Sequence, residues 1–279
     1  MSFNIIPTWD SVETFIEKAS ADKSGIQKYW DQYVVDPIWK ELSQWAPFDI
    51  SFMKPQSVTD IDTLRHQITI LKTLDIEKME KDFNRAVTEL PKQDNDTILT
   101  VLFPGDNKEV LKNQNGVTGA GVFGNISISI NPIAPDFRKW IKYVFSHEYH
   151  HSVWGSVWYG RKQSAKGNLL EALLTEGQAD SFALSLYPDL KPAWISNYSE
   201  EDFKRYLALI TENKDSTDRD SYSKYIFGNK EEQLPWCIGY SVGYTIIQNY
   251  KKASKKSFLE MLYTDCDEIY EEYLRLINF

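Results

Sequence analysis

His147-Glu148-Tyr149-His150-His151 is an H-E-x-x-H pentapeptide in a chain of 279 residues that holds only four histidines. On an α-helix, positions i and i+4 share a face, so His147 and His151 can aim two imidazole nitrogens at one Zn²⁺ while Glu148 flanks the ion. A zinc held by two His and one carboxylate keeps its fourth position for water, and a neighbouring Glu can take that water's proton as it attacks a carbonyl. The chemistry to expect is metal-assisted hydrolysis.

That reading requires the pentapeptide to be helical. Upstream, Asn131-Pro132-Ile133-Ala134-Pro135-Asp136 supplies Pro and Asp just before an apolar periodic run, which is a helix start signal. Phe137, Trp140, Val144, His147 and His151 then recur at three- and four-residue steps, placing both histidines on the stripe to be buried. An unpaired histidine there would be costly, and a metal-bound one is satisfied.

One more protein ligand is needed, and a glutamate on a second helix is the expected partner where neither Cys nor a spaced His follows the motif. Glu171 and Glu176 both lie in the amphipathic stretch 167–184. Glu176 is preferred because Asp180, one turn on, could accept a hydrogen bond from the outer N–H of a ligand histidine, and because Gly177 and Ala179 would allow close approach of the two helices. Glu171, whose separation from His151 is like that in thermolysin-like enzymes, stays open as the alternative.

With these residues in view the chain resembles the glutamate-zincins, and more narrowly the YjaZ-like family of predicted zinc-dependent proteases. The resemblance rests on His-Glu-Tyr-His-His, on Leu169-Leu170-Glu171 running into Glu176-Gly177-Gln178-Ala179-Asp180, and on Gly239-Tyr240-Ser241-Val242-Gly243-Tyr244. It implies a zincin-like fold and a peptidase bound to Zn²⁺, acting on a peptide or protein substrate that the family leaves undefined.

Around the motif, residues 97–103 read as a buried strand, and residues 117–123 and 125–130 as extended runs separated by glycines. Isoleucines of the alternating Ile/Ser run should face the core and serines solvent. Zincins place an edge strand beside the active-site helix, where an extended peptide can add to the sheet. Residues 122–130 are the candidate edge, with an interior strand as the alternative. Tyr240 and Tyr244 share a helix face, either as packing or as O–H donors to the oxyanion of the transition state, with Tyr240 the nearer candidate. His150 is expected to be partly exposed and His66 solvated. The charged stretch 214–220 reads as a solvated loop or a lid.

A net charge of −9 argues against nucleic acid as partner. No apolar run approaches a membrane span, and the opening residues lack an export signal, so a cytoplasmic protein is expected, with Cys237 and Cys266 as free thiols. Helices are expected at 9–19, 26–45, 60–90, 199–211, 236–252 and 257–277, with Thr8 and Ser57 as caps. The fold class expected is α+β, mostly helical with a small mixed sheet beside the active-site helix. Its parts are an N-terminal helical region (1–95), a sheet with the active-site helix (96–165) and a helical C-terminal lobe (166–279), together one compact two-lobed catalytic unit. Two other functions fit these residues: a zinc-binding protein that uses the scaffold to hold a partner, and a hydrolase of non-peptide amides. The sequence leaves the oligomeric state open.

Overall fold

A computed structural model describes residues 3–92, 97–105 and 112–277. The protein is mostly helical with one small mixed sheet, an α+β arrangement. The expected boundary between residues 95 and 96 lies outside the described residues. Contacts divide the chain into two compact units, one of Met1–Thr88 with Lys92–Ser156, the other of Glu89–Pro91 with Val157–Phe279.

In the first unit, β1 (Phe3–Pro7), β2 (Ile98–Pro104), β3 (Val117–Val122) and β4 (Asn125–Ile130) form a sheet in the order β1-β2-β4-β3. β1, β2 and β4 run parallel, and β3 returns antiparallel along β4. β1 falls within the stretch expected to be helical. Its Ile5-Ile6 pair follows Phe3, whose ring lies edge-on to Phe83 and Phe145 at 6.3 and 5.5 Å and so ties the strand to the core.

This order corrects the assignment of the edge. β4, within the 122–130 candidate, is interior, and the edge beside the motif helix is β3. The serines of β4 do not form a solvated face either: Ser127 is buried, because helices pack on β4. A two-residue turn of Phe123 (φ 45°) and Gly124 (φ 114°) joins β3 to β4, and positive φ at both positions matches the twist of a tight hairpin.

Helices α1 (Trp9–Ala21), α2 (Ile26–Trp30), α3 (Asp36–Leu42), α4 (Ile61–Leu71) and α5 (Ile76–Glu89) fill the first ninety residues, and a π-type turn, Asp31–Val35, joins α2 to α3. The single helix expected over 60–90 is two. Asp60, rather than Ser57, caps α4 through the amides of Asp62 and Thr63 at 3.1 Å. Asp75 then accepts from the Lys78 amide at 3.0 Å and starts α5, so a second acidic cap interrupts the run. The motif helix α6 (Phe137–Gly155) crosses β3 and β4, with Phe145 stacked on Phe83 at 3.6 Å.

In the second unit, α7 (Leu169–Leu186) is the hub, packing most extensively on α10 (Ile238–Ser254) and also on α8 (Glu200–Asn213), α9 (Arg219–Phe227), α11 (Phe258–Leu262) and α12 (Cys266–Ile277). The α7–α10 crossing has no room for a side chain. A β-carbon at Gly177 would lie 2.3 Å from the Gly243 carbonyl carbon, and one at Gly243 would lie 2.1 Å from the Leu173 carbonyl oxygen. Gly177 thus serves α10, a different neighbour from the motif helix expected from the sequence.

The 214–220 stretch is anchored to two helices of this unit. Its Lys214 and Ser216 carbonyls accept the amides of Leu170 and Leu169 at 3.0 and 2.9 Å, satisfying the first turn of α7, and Asp218 caps α9. Hydrogen bonds from Ser216 and Ser221 hold the Asp218 carboxyl down at about 2. Cys237 and Cys266 are buried free thiols, and burial, then the charge of Glu176, pushes Cys237 up to about 12. Among the described residues no helix is long and apolar enough to cross a membrane.

Gly243→Ala forces a methyl against backbone that cannot rotate away, and overpacking of this kind costs about 1–3 kcal/mol. Chemical denaturation should show at least that loss relative to the wild type.

Candidate metal centre

Each half of the motif chemistry belongs to one unit. In the first unit, α6 carries His147 and His151 one turn apart, with their Nε2 atoms 3.0 Å from each other and their rings inclined at 73°. Two nitrogens each about 2.0–2.1 Å from a tetrahedral zinc stand about 3.4 Å apart. The pair is therefore already close to the separation that one ion requires, and the donor set of two imidazoles suits zinc. His147 and Glu148 are buried at 7 and 8% exposure, and His151 is half-buried.

The helix is held in rotation around these residues. Ser152, beside His151, donates to the Asn125 carbonyl at 2.7 Å and accepts from the Gly124 amide at 2.9 Å, pinning α6 to the β3–β4 hairpin. Asn125 is itself buried, accepting from the Leu99 amide at 3.0 Å and donating to the carbonyls of Glu41 and Leu42 at 3.2 and 3.0 Å. A chain of hydrogen bonds thus runs from α3 and β2 through β4 to the residue next to His151. The strand is as close as the hairpin: a β-carbon at Gly121 would lie 2.8 Å from the His151 β-carbon.

His150 is fully buried, contrary to the expected partial exposure. α6 is covered on more sides than its apolar stripe suggests, with Tyr149, Ser146 and Val153 buried as well. His66 is exposed, as expected.

In the second unit, α7 sets the two glutamates apart. Asn168 caps the helix by accepting from the Glu171 amide at 3.0 Å, and Glu171 Oε2 accepts from the amides of Lys166 and Gly167 at 2.8 and 2.7 Å. This reciprocal cap occupies the Glu171 carboxylate in the loop that leads into the helix. Glu176 is half-buried further along, where its charge acts on Tyr240 and Cys237.

Asp180 is fully buried and accepts from Trp194 Nε1 at 3.2 and 3.0 Å through its two carboxylate oxygens. Ser241 in turn donates to the Trp194 carbonyl at 3.2 Å and accepts from the Ser196 amide at 2.9 Å. Tyr240 and Tyr244 are both half-buried on α10. Burial, then the charge of Glu176, pushes the Tyr240 hydroxyl well above its ordinary value, and burial followed by Asp180 raises Tyr244. A tyrosine so placed keeps its proton and stays a donor. The Phe227 ring lies 6.2 Å from that of Tyr240.

Within their own units, the structure brings together His147, Glu148 and His151 on α6, and Glu176, Asp180, Tyr240 and Tyr244 on α7 and α10. Sequence reasoning missed Trp194, for which a lone tryptophan in a loop gave no signal. It also missed the role of Gly119 and Gly121, whose alternation in Thr118-Gly119-Ala120-Gly121-Val122 was visible but unexplained.

The family described as predicted Zn-dependent protease (DUF2268) matches residues 76–271, which include both sets of residues. The chain belongs to that family. No curated protein and no solved structure matches it. The family match takes in the HExxH helix, the Asn168–Glu171 cap and the α7–α10 glycine crossing, so the elements that carry the zinc reading lie within the shared region.

Glu171→Ala in this family member should leave zinc content unchanged while lowering stability by about 1–3 kcal/mol, since two loop amides lose their acceptor. Elemental analysis and denaturant titration on the same preparation separate the two effects.

Proposed function

We propose that the protein is a zinc-dependent peptidase of the glutamate-zincin kind, in which His147, His151 and Glu176 hold Zn²⁺. The observation that carries this reading is the pair of imidazole nitrogens 3.0 Å apart with Glu148 next to them on the same buried helix. Family membership supports the metal and the reaction class. Two imidazoles and one carboxylate are the donor set that a catalytic zinc takes. Engagement of the Glu171 carboxylate by two loop amides favours Glu176 as the third ligand.

When bound, zinc supplies a Lewis acid that polarises the peptide carbonyl and acidifies a water. Glu148 accepts the proton of the attacking water on a carboxylate oxygen and passes it to the nitrogen of the departing amine. Its burial keeps competing water few, which strengthens each interaction made in the transition state. Tyr240 donates its O–H to the oxygen that gains charge, with Tyr244 the second candidate for that donor. Asp180, held by Trp194, orients a ligand histidine through its outer N–H. The substrate is an extended peptide, and two buried free thiols fit a reducing cytoplasm.

Glu148→Gln should bind zinc as the wild type does and lose about 10²–10⁴-fold in hydrolysis of a quenched fluorescent peptide library, the usual worth of a general base. Activity retained in that variant would remove Glu148 from the mechanism. Glu176→Ala should lose zinc on dialysis where the wild type keeps it. Stoichiometric zinc in a wild type that cleaves no peptide would leave a zinc-binding protein in place of an enzyme.

A further inference from the structure

We propose that Gly119, on the edge strand β3, is a positioning residue for Glu148: the side chain it lacks is the space in which the Glu148 carboxylate sits. The proposal rests on the peptidase reading above for its functional consequence, and its structural part stands apart from that reading.

Residues 117, 119 and 121 share one face of β3, since side chains alternate along a strand. Of these Val117 is buried and the other two are glycines. Glycine inside a strand weakens it relative to alanine, so two in six residues need a reason. For both, the reason is α6. A β-carbon at Gly121 would lie 2.8 Å from the His151 β-carbon, 2.9 Å from the Glu148 carbonyl oxygen and 3.1 Å from the Ser152 amide nitrogen. Two of those three atoms are backbone. Gly121 is needed for the helix to approach the strand at all.

Gly119 differs in what it faces. A β-carbon there would lie 2.4 Å from Glu148 Cγ, 2.9 Å from Glu148 Cδ and 2.9 Å from Val144 Cγ1. All three are side-chain atoms, and the two on Glu148 belong to a side chain that can rotate. Alanine at 119 can therefore be accommodated without moving the backbone of β3 or α6, by turning Glu148 out of its place beside His147 and His151 while Val144 Cγ1 gives by a few tenths of an ångström. The fold loses less here than at Gly121, whose clash is with backbone, and the geometry of the general base loses more, because a displacement of about 1 Å can cost 10²-fold in rate.

The test compares the wild type, Gly119→Ala and Gly121→Ala by crystal structure, thermal midpoint, zinc content and steady-state kinetics on one cleaved fluorogenic peptide. For Gly119→Ala the expected structure superposes on the wild type in β3 and α6 while Glu148 occupies a different rotamer. The expected kinetics are kcat at least tenfold lower with KM within twofold, at wild-type zinc content and a midpoint within a few degrees. Gly121→Ala should instead lower the midpoint, since its clash is with backbone. Glu148 unmoved in the Gly119→Ala structure, kcat within twofold of the wild type, or a loss that follows zinc content or the thermal midpoint would each overturn the assignment. A wild type that cleaves no peptide would sink the peptidase reading alone, and the rotamer comparison would still decide whether Gly119 sets the place of Glu148.

Discussion

The close seat of α6 on the β3–β4 hairpin is the constraint on which the first unit's chemistry depends. Helix and strand approach at Gly119 and Gly121, where any β-carbon would collide with Glu148 or His151. Ser152 locks the rotation of the helix by bonding to the Asn125 carbonyl and the Gly124 amide. Because those bonds fall one residue from His151, the hydrogen-bond chain that begins at α3 and β2 sets the face of α6 that carries His151. Buried polar chains of this kind cost stability unless every member is satisfied, and the atoms of Asn125 used here are satisfied.

The second unit solves an equivalent problem with glycines and caps. Gly177 and Gly243 bring α7 and α10 to backbone contact, which sets Glu176, Asp180, Tyr240 and Tyr244 on neighbouring surfaces of two helices. Asn168 and Glu171 close the start of α7, and the carbonyls of Lys214 and Ser216 take its next amides. The first turn of α7 is thereby fully satisfied. Trp194 then takes both oxygens of Asp180, leaving that buried carboxylate with a partner inside its own unit.

Two glutamates on one helix illustrate how environment divides like residues into different roles. Glu171 lies at the helix start, where free backbone amides draw its carboxylate into the loop. Glu176 lies past that turn, with no helical amide left to cap, and its charge is felt by a half-buried tyrosine and a buried thiol. The distinction is one of position along the helix, which is why spacing from His151 alone could not make it.

The sequence by itself determined which candidate ligands share a helix, though it missed β1 and the break between α4 and α5. H-E-x-x-H on a three- and four-residue apolar repeat placed His147, Glu148 and His151 on one helix, and the α7 stretch with its Glu176 and Asp180 was equally legible, because both are periodic patterns within one segment. The tertiary structure decided what depends on residues distant in the chain. It made β3 rather than β4 the edge, because strand order follows from which strands pair and no periodicity encodes that. It buried His150 and Ser127, because coverage by other elements sets exposure. It brought Trp194 to Asp180 and the glycine of a strand against the glutamate of a helix. Local pattern reports what a segment can form, whereas neighbours across the fold decide which faces are covered and which side chains meet.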